Sequence, residues 1–252
     1  MKCKIRQKTF ICGDYRHVMI YPVFSSAKGS IRKKKYKPTS ENQQKINEKR
    51  ATLWLQMIME TNFDDKDFFF TVTYKPGQHP ATDTQAMKDA KNFIRRVQYH
   101  CQKKGLPEPV AVWCTERGKG TRRYHHHYVI KSELSDDELT AIWGKGRTKP
   151  LKLRFDEDGL KGLANYLPKE PIGERRYHST RNIKKPEERQ NDQISQKQYK
   201  EIFENVHFKN ARELEKIFKG YFVSGGCMED YDNFFGQYAY IKLYKQDSKY
   251  IR

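Results

Sequence analysis

Along this chain the spacing of apolar positions switches between a period of two and a period near 3.6, and each switch marks an element. Phe10-Ile11-Cys12 and Val18-Met19-Ile20 flank Gly13-Asp14, so residues 8–23 predict a short hairpin. Ser40 with Gln43 is a capping-box pattern, and Ile46, Leu53, Leu55, Met57 and Ile58 continue it as a helix to about residue 61. The run 68–74 is β-prone throughout between Asp64-Asp65 and Pro76-Gly77, which predicts a central strand buried on both faces, with Thr71 and Thr73 sharing one. Asp83 opens a second helix, with Met87, Ala90, Phe93, Ile94, Val97 and Cys101 at helical spacing and Gly105 as its stop. Strands 110–116 and 123–130 follow, joined by the basic turn Arg117-Gly118-Lys119-Gly120, and pair as a hairpin.

Farther on, Ser135 with Glu138 caps a short helix through Trp143, and 151–155 is a short strand. Asp156 is expected to cap a helix carrying Leu160, Leu163, Tyr166 and Leu167 that ends or kinks at Pro168. From 187 the chain turns polar and predicts a linker or loop; two short helices, 199–206 and 211–218, and a terminal hairpin, 221–223 with 238–244, complete it. Three regions result: a basic N-terminal hairpin and loop, 1–38; a main domain, 39–186; and a helical and hairpin extension, 187–252.

With 252 residues the chain can bury one full core. Its net charge of +19 exceeds what solubility needs and is spread along the sequence, which points to a large polyanion as partner. The run 28–37, with Arg32, Lys33, Lys34 and Lys35 around Tyr36, is a solvated loop or a phosphate clamp. No long apolar run and no export signal is read, so nucleic acid in the cytoplasm is expected rather than a membrane. The five cysteines are scattered without a Cys-x-x-Cys pair, which encodes neither a disulfide framework nor a zinc ribbon.

Candidate chemistry centres on Tyr124-His125-His126-His127-Tyr128-Val129-Ile130. On a strand, His125 and His127 project together and His126 points away. Such a pair alone belongs more often to a core strand than to a metal. Here Glu116 stands across the hairpin, and two imidazoles with one carboxylate form the open nitrogen and oxygen set of a catalytic divalent ion. A metal with a polyanionic partner suggests phosphoryl chemistry. Tyr166 can supply a nucleophile, with Lys169 its neighbour on the helix.

These pieces in this order resemble the HUH endonuclease superfamily of rolling-circle replication initiators and relaxases. Phe69-Phe70-Thr71-Val72-Thr73-Tyr74 looks like its first motif, the histidine strand its metal motif, and Tyr166-Leu167-Pro168-Lys169 its tyrosine motif. The likeness covers roughly residues 66–186 and is closest to replication-associated proteins of small plasmids and single-stranded DNA phages. It implies an α+β fold, a central antiparallel sheet with helices packed against it in the HUH, ferredoxin-like manner, to which 187–252 add a small α/β extension. It further implies Mn²⁺ or Mg²⁺ held by His125, His127 and Glu116, attack by Tyr166 on a DNA phosphate, a 5′-phosphotyrosine link, a free 3′-hydroxyl, and Lys169 as helper at the phosphate. Later rejoining would draw on the energy of that link.

The sequence departs from the superfamily in three places. His126 stands where a hydrophobic residue is usual, so His126 is the alternate ligand should the alternation fail. Pro168 interrupts the tyrosine motif, and no second tyrosine lies four residues from Tyr166, so termination needs a second protomer, a fresh molecule or water. Tyr177 is eleven residues on, within a basic segment. Arg117, Lys119, Arg122, Arg123, Arg175, Arg176 and Arg181 are expected to contact the backbone of single-stranded DNA at an origin, whether or not it is presented as a stem-loop. Host helicase and polymerase are expected partners, since no Walker loop is present. Two alternatives stay open: a relaxase or single-tyrosine transposase of the same chemistry, and a non-catalytic basic protein that binds single-stranded nucleic acid.

Overall fold

The computed structural model of the chain describes residues 3–24, 41–118, 123–167, 171–173, 175–233 and 236–250. The expected capping box at Ser40, the basic run 28–37, Lys119, Arg122, Pro168 and Lys169 lie outside the described residues. The elements in order are β1 (Cys3–Cys12), β2 (Tyr15–Phe24), α1 (Glu41–Asn62), β3 (Phe68–Thr73), α2 (Asp83–Lys103), β4 (Val110–Arg117), β5 (Tyr124–Lys131), α3 (Asp136–Trp143), β6 (Thr148–Lys152), α4 (Lys161–Tyr166), β7 (His178–Ser179), β8 (Glu187–Ile194), α5 (Gln196–His207), α6 (Ala211–Ile217), β9 (Tyr221–Asn233) and β10 (Gly236–Lys245). The fold is α+β, with two five-stranded sheets ordered β8-β1-β2-β10-β9 and β6-β3-β5-β4-β7.

Two compact units follow these sheets. One comprises residues 62–155 and 160–184, the other residues 1–61, 156–159 and 185–252. The segments expected as an N-terminal hairpin and a C-terminal extension therefore share one sheet, and α1 groups with them.

In the unit carrying β3 to β7, every pairing is antiparallel. One face is a hydrophobic layer: Phe70 and Val72 of β3, Ala111 and Trp113 of β4, and Tyr128 and Ile130 of β5 pack with Phe93, Val97 and Cys101 of α2 and Leu139 and Trp143 of α3. Strand β3 is thus buried on one face and half-buried on the other, not buried on both as its apolar run predicts. The reason is that Phe69, Thr71 and Thr73 face the polar side of the sheet. Helix α2 is capped by Thr82 rather than Asp83, and the Ser135–Glu138 capping box of α3 forms as expected. The short edge strand β6 begins at Thr148, earlier than the pattern predicts, and accepts Pro150 because an edge position need not donate on both sides.

The other unit has helices on both faces of its sheet. Ile5, Val18, Ile20, Val223, Ile241 and Leu243 meet Tyr199, Ile202 and Val206 of α5 and Leu214 of α6. On the opposite face, Glu60 of α1 enters a buried polar cluster. It is 2.7 Å from His17 Nε2, 2.6 Å from Lys242 Nζ and 2.8 Å from Gln56 Nε2. Since Glu60 can only accept while ionised, His17 donates from Nε2 and takes a hydrogen bond from Tyr240 at Nδ1. Lys242 and His17 hold the Glu60 carboxyl down at about 2 against the upward push of burial. Asp156 does not cap a helix. It forms a tight turn with Gly159, whose φ of +61° and closeness to Glu60 and Lys242 leave no room for a side chain.

Strand β8 replaces the linker expected from 187. Its side chains are nearly all exposed, so no apolar signal announces it, and it forms through the backbone ladder to β1. Ion pairs from Arg6 to Asp192 and from Lys8 to Glu188 flank that ladder.

Candidate metal and tyrosine site

Strand alternation brings Phe69 and Thr71 of β3, Cys114 and Glu116 of β4, and His125 and His127 of β5 to the sheet face opposite α2 and α3. Across the three strands, Thr71, His127 and Cys114 are in register, as are Thr73, His125 and Glu116. Each imidazole is therefore fixed between two partner strands. The His125 and His127 rings stack with centroids 6.4 Å apart and 9° between planes. His127 is buried, and its two nitrogens are both engaged: Nδ1 lies 3.0 Å from Thr71 Oγ1, and Nε2 lies 3.3 Å from Glu116 Oε2.

Glu116 carries the feature that sets this cluster apart. Its other oxygen, Oε1, is buried and has no hydrogen-bond partner. A buried carboxylate oxygen without a donor costs free energy that a cation or an ordered water would recover. The donor set, two imidazoles and a carboxylate, fits a divalent ion. His125 is held below its ordinary pKa by burial and by the neighbouring His127, which keeps it neutral and its lone pair available. The three ligand groups are not drawn together: among the described residues, the group whose ligand atoms all approach within 4.8 Å is Cys12, His17 and Glu60, in the other unit. There the Lys242 ammonium already occupies the carboxylate.

Tyr166, the last residue of α4, reaches the same face. Its ring meets His127 edge-on at 5.4 Å and Phe69 at 6.0 Å, and Phe69 itself stacks on His127. Leu167 locks the end of this short helix by accepting the Cys114 thiol hydrogen at its carbonyl, 2.7 Å. The phenol is nearly half exposed, and its pKa is pushed up first by partial burial and then by the charge of Glu116. Tyr177 is half-buried, and none of the ring contacts to His127 or Phe69 involves it.

His126 belongs to the other face. It is fully buried, with Nε2 2.7 Å from the Tyr74 hydroxyl and Nδ1 2.9 Å from Thr115 Oγ1. Tyr74 donates to Asp89, which pairs with Lys145 at 2.7 Å. Tyr74 has one proton to give, so His126 donates to it from Nε2 and accepts from Thr115 at Nδ1. Burial pushes its pKa down to about 3 and keeps it neutral. The histidine that breaks the superfamily pattern is a structural one.

Of the residues expected at phosphate, Arg117 ends β4, lies over the Tyr124 ring and reaches Asp83 at 3.9 Å. Arg123 is exposed just before β5; Arg175 and Arg181 are exposed and Arg176 is half-buried on the segment around β7. Sequence reasoning did not single out Phe69 or the role of Thr71 in holding His127, although both were legible as members of one strand face.

No helix among the described residues is long and apolar enough to cross a membrane. No curated protein and no solved structure matches the chain. Residues 67–171, which contain β3 through the histidine strand and the tyrosine helix, match a family described as replication-associated protein, of the ORF2 type. In this segment the chain is a member of that replication-associated protein family.

Proposed function

We propose that the chain is a rolling-circle replication initiator that nicks single-stranded origin DNA through Tyr166. The observation that carries this reading is the partnerless Glu116 oxygen in a cluster that also holds His127 and, edge-on against it, Tyr166. His125, His127 and Glu116 would hold Mn²⁺ or Mg²⁺, which when bound polarises a phosphate oxygen and orients the group under attack. Tyr166 Oη forms the bond to phosphorus as the bond to the departing 3′-oxygen breaks. The phenol gives up its proton, the 3′-oxygen gains one, and the strand is left 5′-linked to the protein with a 3′-hydroxyl free for a polymerase. Neutralising Glu116 removes one of the two principal causes that raise the Tyr166 pKa. Thr71 fixes the His127 ring by accepting from Nδ1, which leaves Nε2 as the ligand atom. Lys169 is assigned to the phosphate, and Arg117, Lys119, Arg122, Arg123, Arg175, Arg176 and Arg181 to the strand backbone. Reversal of the same chemistry rejoins the strand, and unwinding falls to a host helicase.

A second reading, a basic protein that binds single strands without cutting, draws on one observation: His125, His127 and Glu116 are not gathered to ligand spacing. Labelled single strands tiled across the encoding replicon, incubated with Mn²⁺ and run on a denaturing gel, separate the two. The nicking reading expects an adduct that resists denaturant and is lost in Tyr166→Phe. An adduct that survives the substitution moves the nucleophile elsewhere, with Tyr177 next. Binding without nick or adduct, across full origin coverage, favours the second reading.

A further inference from the structure

The sheet β8-β1-β2-β10-β9 changes character along one face. On β1 the side chains sharing that face run Ile5, Gln7, Thr9, Ile11, and on β2 they run Ile20, Val18, Arg16. Ile5, Val18 and Ile20 lie under α5 and α6 in the core. Gln7, Thr9 and Arg16 come after the helix layer has ended, and there the sheet floors an open groove of about 410 Å³, walled by β8 and by the chain that leaves α6. A face designed to be covered would have stayed apolar.

Among the described residues, the groove's lining contains three cations, Arg16, Arg189 and Lys219, and no carboxylate. Arg16 is fixed in place: Nη1 donates to the Gly13 and Tyr15 carbonyls at 2.9 and 2.8 Å, and the guanidinium lies 5.5 Å over the Tyr221 ring. Its remaining donors are therefore presented at little entropic cost. Lys219 is exposed, and Arg189 reaches only Glu187, an exposed pair that a phosphate displaces readily. Gln7 and Thr9 add amide and hydroxyl groups able to meet a base edge. The volume suits one nucleotide, and the charge suits its phosphates.

We infer that this groove is a second site for single-stranded DNA, separate from the tyrosine site, in which Arg16, Arg189 and Lys219 hold the backbone and the Gln7 and Thr9 floor meets a base. It rests on the reading of the chain as a protein that acts on single-stranded DNA, not on the nicking chemistry.

The test uses the full chain and a labelled oligothymidylate, with binding followed by fluorescence anisotropy as salt is raised. The variant Arg189→Gln/Lys219→Gln removes two exposed cations, and Lys88→Gln/Lys103→Gln, on exposed positions of α2, removes the same charge elsewhere. Loss of two phosphate contacts lowers the slope of log affinity against log salt by about 1.4 and weakens binding by tenfold or more near 0.1 M salt. That change in the groove variant, with the control close to wild type and thermal unfolding unmoved in both, is the expected result. Equal loss in both variants would mean diffuse charge and would overturn the proposal, as would no loss in either. The adduct assay runs in parallel. Absence of a Tyr166 adduct with groove-dependent binding intact removes the nicking reading and leaves the groove; an adduct without groove-dependent binding does the reverse.

Discussion

Glu116 offers one oxygen to His127, 3.3 Å away, and buries the other without any partner. An unsatisfied buried carboxylate oxygen is a cost that folding alone does not explain, so its removal separates stability from function. Glu116→Gln keeps the shape and removes the charge. Mn²⁺ affinity, followed by calorimetry on the full chain, should fall at least tenfold, while the urea midpoint stays level or rises. Unchanged Mn²⁺ binding would remove Glu116 from the ligand set.

Thr71 acts on the same imidazole from the next strand. With its hydroxyl 3.0 Å from His127 Nδ1, it sets the tautomer and the ring plane. Thr71→Val preserves the branched shape and deletes the partner, and is expected to cost ten- to a hundredfold in metal affinity. Thr71→Ser, which keeps the hydroxyl, should restore most of it. Equal behaviour of the two variants would show that packing, not the hydrogen bond, is what matters there.

His126 provides the contrast. Its ring ties β4, β5 and α2 together through Thr115, Tyr74 and Asp89, with Lys145 beyond. His126→Ala opens a cavity and strands two hydroxyls, so a loss of about 3 kcal/mol in urea unfolding is expected, with metal affinity per folded molecule retained. The lowered pKa adds a sign. The unfolded chain binds a proton near pH 6.5 that the folded chain refuses until about pH 3, so the stability this site contributes is complete above 6.5 and is lost as pH falls toward 3. His126→Phe should flatten that part of the acid limb relative to wild type.

These contrasts explain what could be read from the sequence. The period of two placed His125 and His127 on one face and His126 on the other without any structure, because a strand leaves side chains no other choice. The stripe of α2 was equally legible, since Phe93, Ile94 and Val97 all bury. Strand β8 was not: Glu187–Ile194 is polar throughout, and its pairing with β1 is a backbone ladder between segments far apart in sequence. Nor was the shared sheet of β1, β2, β9 and β10, which rests on the same kind of distant pairing. Glu60 was invisible as well, since a glutamate on a helix reads as surface and only the tertiary fold supplies Lys242 and His17.

That buried cluster gives the last prediction. Lys242 and Glu60 are both fully buried, 2.6 Å apart, and Lys242 also donates to the Asp158 carbonyl. Removing one member leaves the other charge without its counter-ion, so Lys242→Met should destabilise the fold by about 3–5 kcal/mol at pH 7. The size of that loss should depend on pH. In wild type the Glu60 carboxyl is held at about 2, below its ordinary value near 4.3, so its contribution is present above about 4.3 and is lost as pH falls toward 2. In the variant, burial dominates and pushes the carboxyl up, so it takes a proton early and sheds its uncompensated charge. His17, whose pKa Lys242 helps to lower, becomes easier to protonate beside Glu60 as well. Both changes shrink the gap between variant and wild type in acid. Guanidinium unfolding at pH 7 and pH 3 reads it directly, because groups common to both proteins cancel in the difference. A gap of equal size at the two pH values would show that the Lys242 charge is not what keeps Glu60 ionised.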